Sequence, residues 1–231
     1  MTQTCSFEAK VYINIDPPLW RGWPSVSEVG RCVPCGRCCP CRTTLFRHGF
    51  RRATFHRGEG IGRRNMERIL IIGCSGAGKS TVARELREKL GLPVVHLDQL
   101  WWQKDWSHVT REEFDSRLAM ALNMDRWIID GNYSRTMEMR LQKCDTIIYL
   151  DFNRWECLLG MFQRVLGNYG KVRPDMGDGC PERFDWDFVK WIWNFNKQNR
   201  VRNYTWIAKT KHAKAVVLKS RREVKQFLAE L

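Results

Sequence analysis

One stretch constrains this 231-residue chain more than any other: Arg68 to Arg84, reading RILIIGCSGAGKSTVAR. Gly73, Cys74, Ser75, Gly76, Ala77, Gly78, Lys79 and Ser80 fit G-x-x-x-x-G-K-[ST] at every fixed position. Ile69 to Ile72, just before, is an apolar and mostly β-branched run that reads as a buried strand. Thr81 to Leu90, just after, sets apolar and charged residues at helical spacing. That run stops at Gly91, a residue suited to the position past a helix end. A strand, a glycine-rich loop and a helix in that order are what a phosphate-binding loop requires.

The residue types suit that chemistry. A polyphosphate carries several negative charges that must be met at close range. Glycines at 73, 76 and 78 let the chain turn tightly and aim successive backbone N–H groups inward, those of Ser75 and Ala77 among them. The loop opens into a helix whose first N–H groups and positive dipole end face an anion. Lys79 is expected to reach the β- and γ-phosphates as a point charge. The Ser80 hydroxyl is the expected Mg²⁺ ligand, and Thr81 is expected to support the α-phosphate. ATP and Mg²⁺ are therefore the expected cofactors.

Beyond the loop the pattern stays regular. Leu92 to Leu97 reads as a second strand with Asp98 at its end. Residues 111–123 read as an amphipathic helix, with Thr110 as N-cap and Glu113 completing a capping box. Trp127 to Ile129 is a third strand ending in Asp130, and Thr146 to Leu150 a fourth ending in Asp151. Helix is expected over Arg154 to Leu166, loop over Gly167 to Pro181, and helix over Phe184 to about Ile207. Ala215 to Leu218 is a fifth strand, and Ser220 caps a last helix over 221–230. Strands alternating with helices predict an α/β fold of three layers, a five-stranded parallel sheet with helices on both faces. Ligands in such folds bind beyond the carboxyl ends of the strands, where the loop, Asp98, Asp130 and Asp151 all fall. Asp130 follows an apolar strand as a metal-shell carboxylate should. Asp98 is placed to accept a proton or hydrogen bond from an acceptor hydroxyl. Asp151 is read either as a site residue or as the cap of the helix near Arg154.

Net charge is +14, which raises nucleic acid, a membrane surface or an acidic substrate as partners. Residues 1–65 hold eleven Lys+Arg against four Asp+Glu, and six of the ten cysteines: Cys5, Cys32, Cys35, Cys38, Cys39 and Cys41. They show no sustained period beyond a short strand at Val11 to Ile15. The run CVPCGRCCPC has metal-ligand spacing, but no second ligand pair follows about 12–20 residues on. The leader is expected to be disordered or, since Met66 stands just before the first convincing strand, translated from upstream of the real start. It is not a signal peptide, and no run approaches the roughly 18 apolar residues of a membrane span. With no secretory signal, Cys74, Cys144, Cys157 and Cys180 read as reduced thiols of a cytoplasmic protein.

Several segments carry a family resemblance. To the loop add Leu97-Asp98 with Trp102, Asp130-Gly131-Asn132-Tyr133, and the run Gly170 to Glu182 containing Lys171, Arg173, Asp175, Met176 and Cys180. With these, residues 66–231 resemble the adenylate-kinase-like P-loop kinases, the branch that includes shikimate and gluconate kinases. They are most similar to the adenylate-kinase-related "DNA topology modulation" proteins (FlaR-like). That resemblance implies an ATP-dependent phosphotransferase acting on a small molecule or a nucleotide. It implies a small lid at about 167–183 that brings Lys171 and Arg173 to the transferring phosphoryl group, and Arg164 just before the lid. It also implies a turn at Lys219-Ser220 that packs on the adenine. Adenylate kinases continue their Asp-Gly with phenylalanine, proline and arginine. Asn132-Tyr133-Ser134-Arg135 departs from that and puts AMP in doubt as acceptor. Cys180 stands alone in the lid, so no lid zinc is expected.

The tryptophans admit two readings. Trp101, Trp102 and Trp106 either stack on a flat acceptor or pack a lid or helix. Trp186, Trp191 and Trp193, with Phe188 and Phe195, build core or a partner-facing patch. Lys190, Lys197, Arg200 and Arg202 interleave with these aromatics as in single-strand nucleic-acid binders, but no recognised nucleic-acid motif accompanies them. A kinase is the favoured reading, and a nucleotide-dependent DNA-binding protein the alternative.

Overall fold

The structure is a computed structural model and describes residues 66–231. The leader's cysteine cluster, its short strand and the upstream start all lie outside the described residues. The chain starts with β1 (Arg68–Gly73), runs through the loop into α1 (Lys79–Leu90), and continues to β2 (Val94–His96) and the short α2 (Leu97–Trp101). A small antiparallel ribbon follows, β3 (Trp102–Gln103) and β4 (Ser107–His108), joined by a 3₁₀ turn. Next come α3 (Arg111–Leu122), β5 (Trp127–Asp130), α4 (Met137–Lys143), β6 (Thr146–Leu150) and α5 (Arg154–Asn168). An irregular segment leads to α6 (Trp186–Lys209), β7 (Lys214–Leu218) and α7 (Arg221–Ala229).

Five strands form one parallel sheet in the order β2-β5-β1-β6-β7. β1 lies at the centre, and its last five residues are buried. Period-two alternation divides them between the faces. Ile69 and Ile71 pack against α1, α5, α7 and the start of α6 through Val82, Leu86, Met161, Phe195 and Phe227. Leu70 and Ile72 pack the other way, against Phe114, Leu118, Met137 and Leu141 of α3 and α4. The result is a three-layer α/β fold with helices on both faces of the sheet.

Local chemistry sets the helix ends. Thr110, Asn153, Asp185 and Ser220 each accept the N–H three residues on, at 2.9–3.2 Å. Asn153 thus takes the capping place that Asp151 had been offered. Asp151 is instead a buried anchor for α6, accepting from Tyr149, Tyr204 and Arg200. The second strand is shorter than expected. It ends at His96, and Asp98 sits in the first turn of α2 rather than on a strand. α5 extends to Asn168, past the expected end at Leu166. The ribbon and α4 were missed altogether. Strands of two residues fall below any periodic signal, and α4 is only seven residues long.

Among the described residues no helix is long and apolar enough to cross a membrane.

Candidate active site

The site is built at the carboxyl ends of β1, β5 and β2. Gly73 ends β1, and the loop turns through Gly76 (φ 80°) and Gly78 (φ 93°) into α1. Gly78 occupies the cap position with a left-handed backbone and no side-chain cap bond, so the first N–H groups of α1 stay open to an outside anion. A Cβ placed on Gly78 would meet nothing within 4 Å, which leaves room above the loop. Ala77 N–H donates to Cys74 O at 3.2 Å and Lys79 Nζ reaches the same carbonyl at 3.3 Å, closing the turn. Burial pushes the Cys74 thiol well up, so it stays protonated and is no nucleophile. Thr81 is exposed on the first turn.

Asp130, 5% exposed, lies against the loop. Its Oδ2 accepts from Ser80 Oγ at 2.7 Å and pairs with His96 Nδ1 at 3.1 Å. Its Oδ1 is buried with no hydrogen-bond partner. An orphaned carboxylate oxygen beside a loop serine is the donor set that hydrated Mg²⁺ takes, so the residues present fit that ion. His96 was missed by sequence reasoning. It became visible only when parallel pairing set it in register with Asp130.

The Asp130-Gly131-Asn132-Tyr133 turn is braced from both sides. Asn132 accepts from Gly73 N–H at 3.1 Å and returns its own N–H to Gly73 O at 2.8 Å, pinning the turn to the start of the loop. Arg140, 0% exposed, donates to the carbonyls of Gly131, Asn132, Tyr133 and Thr136 at 2.6–3.3 Å. Burial pulls its pKa down to about 9, which still leaves it charged at neutral pH. Tyr133 is thereby held at φ 26°, a conformation a bulky residue rarely adopts. Its hydroxyl donates to Asp98 Oδ1 at 2.8 Å. Burial, aided by the nearby Asp130 charge, raises the Asp98 pKa above the usual carboxylate value. The Tyr133 hydroxyl, Lys79 and Arg173 pull it the other way.

The segment between α5 and α6 folds over this cluster. Glu182, 5% exposed, accepts from Arg164 at 3.1 Å and from Arg173 at 2.7 Å, joining the two expected arginines through one carboxylate. Arg164 also donates to Ser75 Oγ of the loop at 3.2 Å. Arg173 pairs with Asp175 at 2.8 Å, so neither arginine is a solvated surface charge. Lys171 is exposed on the same segment. The segment grips α2 and the ribbon opposite. Gln99 donates to Pro174 O at 2.5 Å, Cys180 Sγ to Gln103 O at 2.9 Å, and Asp105 N–H to Gly179 O at 3.1 Å. Glu182 and Asp175 stood in the run that carries the family resemblance, but no role was assigned to either from sequence.

Lys219 lies exposed just past β7, its N–H bonded to Glu223 at 2.8 Å. The tryptophans divide. Trp101 packs on His108, Phe114 and Tyr133, which favours the packing reading. Trp191 and Phe195 join the core side of α6, while Trp186 stays 68% exposed. Arg200 is taken by Asp151 and Arg202 lies over Trp206, so these two do not form an open basic stripe.

A parallel sheet with a G-x-x-x-x-G-K-S loop leaving its central strand, and a serine–aspartate pair beside that loop, defines a P-loop NTPase domain. Residues 69–165 match the family model of an AAA domain, a P-loop family that includes kinases. No curated protein matches the chain.

Proposed function

We propose that residues 66–231 form a Mg·ATP-dependent kinase that phosphorylates a small molecule or a nucleotide, with the segment at about 167–183 as its lid. The observation that carries this reading is Asp98. A half-buried carboxylate, oriented by a tyrosine hydroxyl and close enough to Lys79 and Arg173 to feel their charge, is what a phosphoryl acceptor's hydroxyl needs beside it.

In this reading the amides of Ser75 to Ser80 and the Lys79 ammonium hold the phosphates. Ser80 and Asp130 would hold Mg²⁺, whose charge neutralises the phosphate oxygens. Arg164 and Arg173 stabilise charge on the oxygens of the phosphoryl group in flight. Asp98 takes the proton from the acceptor hydroxyl, and Tyr133 keeps its carboxylate aimed. The lid and the ribbon, already clasped, exclude water so that phosphate goes to the acceptor. Lys219 borders the adenine.

The test is a metabolite screen for ATP-dependent phosphorylation. ATP consumption should match a phosphorylated acceptor mole for mole. Asp98→Asn should lower transfer by about 10²–10⁴-fold, the usual contribution of a general base. ATP affinity should stay within about threefold of the parent, since Asn keeps the Tyr133 hydrogen bond. ATP loss that yields only free phosphate, whatever acceptor is supplied, refutes the kinase.

A further inference from the structure

Asp175 is a carboxylate in the one place where the proposed chemistry wants no added negative charge. Its Oδ2 accepts from Arg173 Nη1 at 2.8 Å. It is not a stray surface acid, for its side chain is 17% exposed. Its neighbours are fastened down on both sides. Pro174 O is held by Gln99, Met176 is buried, and a Cβ on Gly177 would stand 2.1 Å from Trp102 O. Burial opposes the charged form, but the Arg173 guanidinium outweighs it and keeps the Asp175 pKa below the usual carboxylate value.

This rests on the kinase reading, in which Arg173 serves the transferring phosphoryl group. Glu182 takes Arg173 Nε at 2.7 Å and Asp175 takes Nη1 at 2.8 Å, so the guanidinium already sits between two carboxylates. A further anion that reaches it must displace one of them, since like charges a few ångströms apart repel in a partly buried site. Glu182 is held by Arg164 as well, which leaves Asp175 as the one to yield. We propose that Asp175 is an internal competitor for the terminal phosphate of the nucleotide, holding Arg173 until a triphosphate takes it. An internal group competes at high effective concentration, so the apparent affinity for ATP is lowered by the fraction of molecules in which the pair is made. ADP lacks the terminal phosphate and leaves Asp175 in place. Once the phosphoryl group has passed to the acceptor, the pair re-forms and favours release of the product.

The competitor is tested by titration calorimetry of Mg·ATP and Mg·ADP into the full chain and its variants. Asp175→Asn should bind Mg·ATP about tenfold more tightly, with Mg·ADP changed less than about twofold. Asp175→Ser, which removes the same charge with a smaller group, should act in the same direction. Asp178→Asn, an exposed acid three residues on, should move neither affinity beyond about twofold. Unchanged or weaker ATP binding in both Asp175 variants overturns the proposal; weaker binding is what a metal ligand or an orienting group for Arg173 would give. Equal tightening for ATP and ADP, or equal tightening by Asp178→Asn, overturns it too, because that is general electrostatics. Lys79→Ala separates the two levels. If it binds ATP as the parent does, the nucleotide site itself is wrong and the competitor falls with it. If it loses ATP while the Asp175 variants do nothing, only the competitor falls.

Discussion

At the scale of single residues, Asp98 is where position and chemistry meet. Burial raises its pKa, so the folded chain binds that proton more tightly than the unfolded chain does. The stability this contributes is complete below the ordinary aspartate value of about 3.9 and fades as pH rises through the higher folded value. Asn at this position does not titrate and still accepts the Tyr133 hydrogen bond. Asp98→Asn should therefore gain thermal stability over the parent as pH climbs from about 4 to about 8, a difference that melting curves at several pH values will display. A difference that shrinks with rising pH would mean that the carboxylate is stabilised in its charged form, against the burial argument. Sequence alone marked Asp98 and Asp130, because acids following apolar strands stand out. It marked Asn132 and Tyr133 only as part of the run that carries the family resemblance, with no role of their own, and Arg140 not at all. Their roles depend on bonds to Gly73, to Asp98 and to turn carbonyls, which exist only once β1, β5 and α2 are side by side.

At the scale of elements, the phosphate loop is fixed by a contact with no sequence motif of its own. A Cβ on Gly76 would lie 2.1 Å from Cys157 O, and a Cβ on Gly160 would lie 2.1 Å from Gly76 O. Loop and α5 thus touch backbone to backbone, through two glycines that face each other. Gly76 was legible as a motif residue. Gly160 was legible only as an oddity, since a glycine inside a helix costs about 1 kcal/mol against alanine and calls for a reason. The long periodic elements were legible in type, and most bounds fell within about two residues of the expectation. The segment between α5 and α6 was legible as a loop but not in its shape, and the ribbon was not legible at all, because neither has a hydrophobic period and each is shaped by the other. Gly160→Ala should push the loop off α5. We expect a loss of about 1–3 kcal/mol, typical of overpacking, in urea denaturation, and at least a tenfold loss of ATP affinity. Gly167→Ala in the same helix, with nothing within 4 Å of its Cβ, should instead stabilise by about 0.5–1 kcal/mol and leave ATP affinity unchanged. Equal effects of the two substitutions would show that the glycine contact does not hold the loop.

At the scale of the whole molecule, the charge of +14 is the property that most invites a nucleic-acid partner. The described fold answers part of that invitation internally. Arg164 and Arg173 are matched by Glu182 and Asp175, Arg200 by Asp151 and Arg135 by Asp115, while Arg140 is buried among carbonyls. Those arginines are tied to the fold rather than arrayed for phosphates along a duplex. A kinase and a nucleotide-gated DNA-binding protein then differ in what ATP does to the rest of the chain. For a kinase, Mg·ATP at about 100 times its Kd stabilises the folded state by about 2.7 kcal/mol, which raises Tm by about 5–10 °C for a domain of this size. Lys79→Ala should abolish that rise. Duplex DNA should bind, if at all, through loosely held surface cations, so its affinity should fall steeply between about 50 and 200 mM salt. That salt slope should be the same with and without Mg·ATP, because the arginines that would answer to nucleotide are those locked around Glu182 and Asp175. A slope that changes when ATP binds would mean that nucleotide exposes or hides phosphate contacts elsewhere on the surface, and the DNA-binding alternative would displace the kinase.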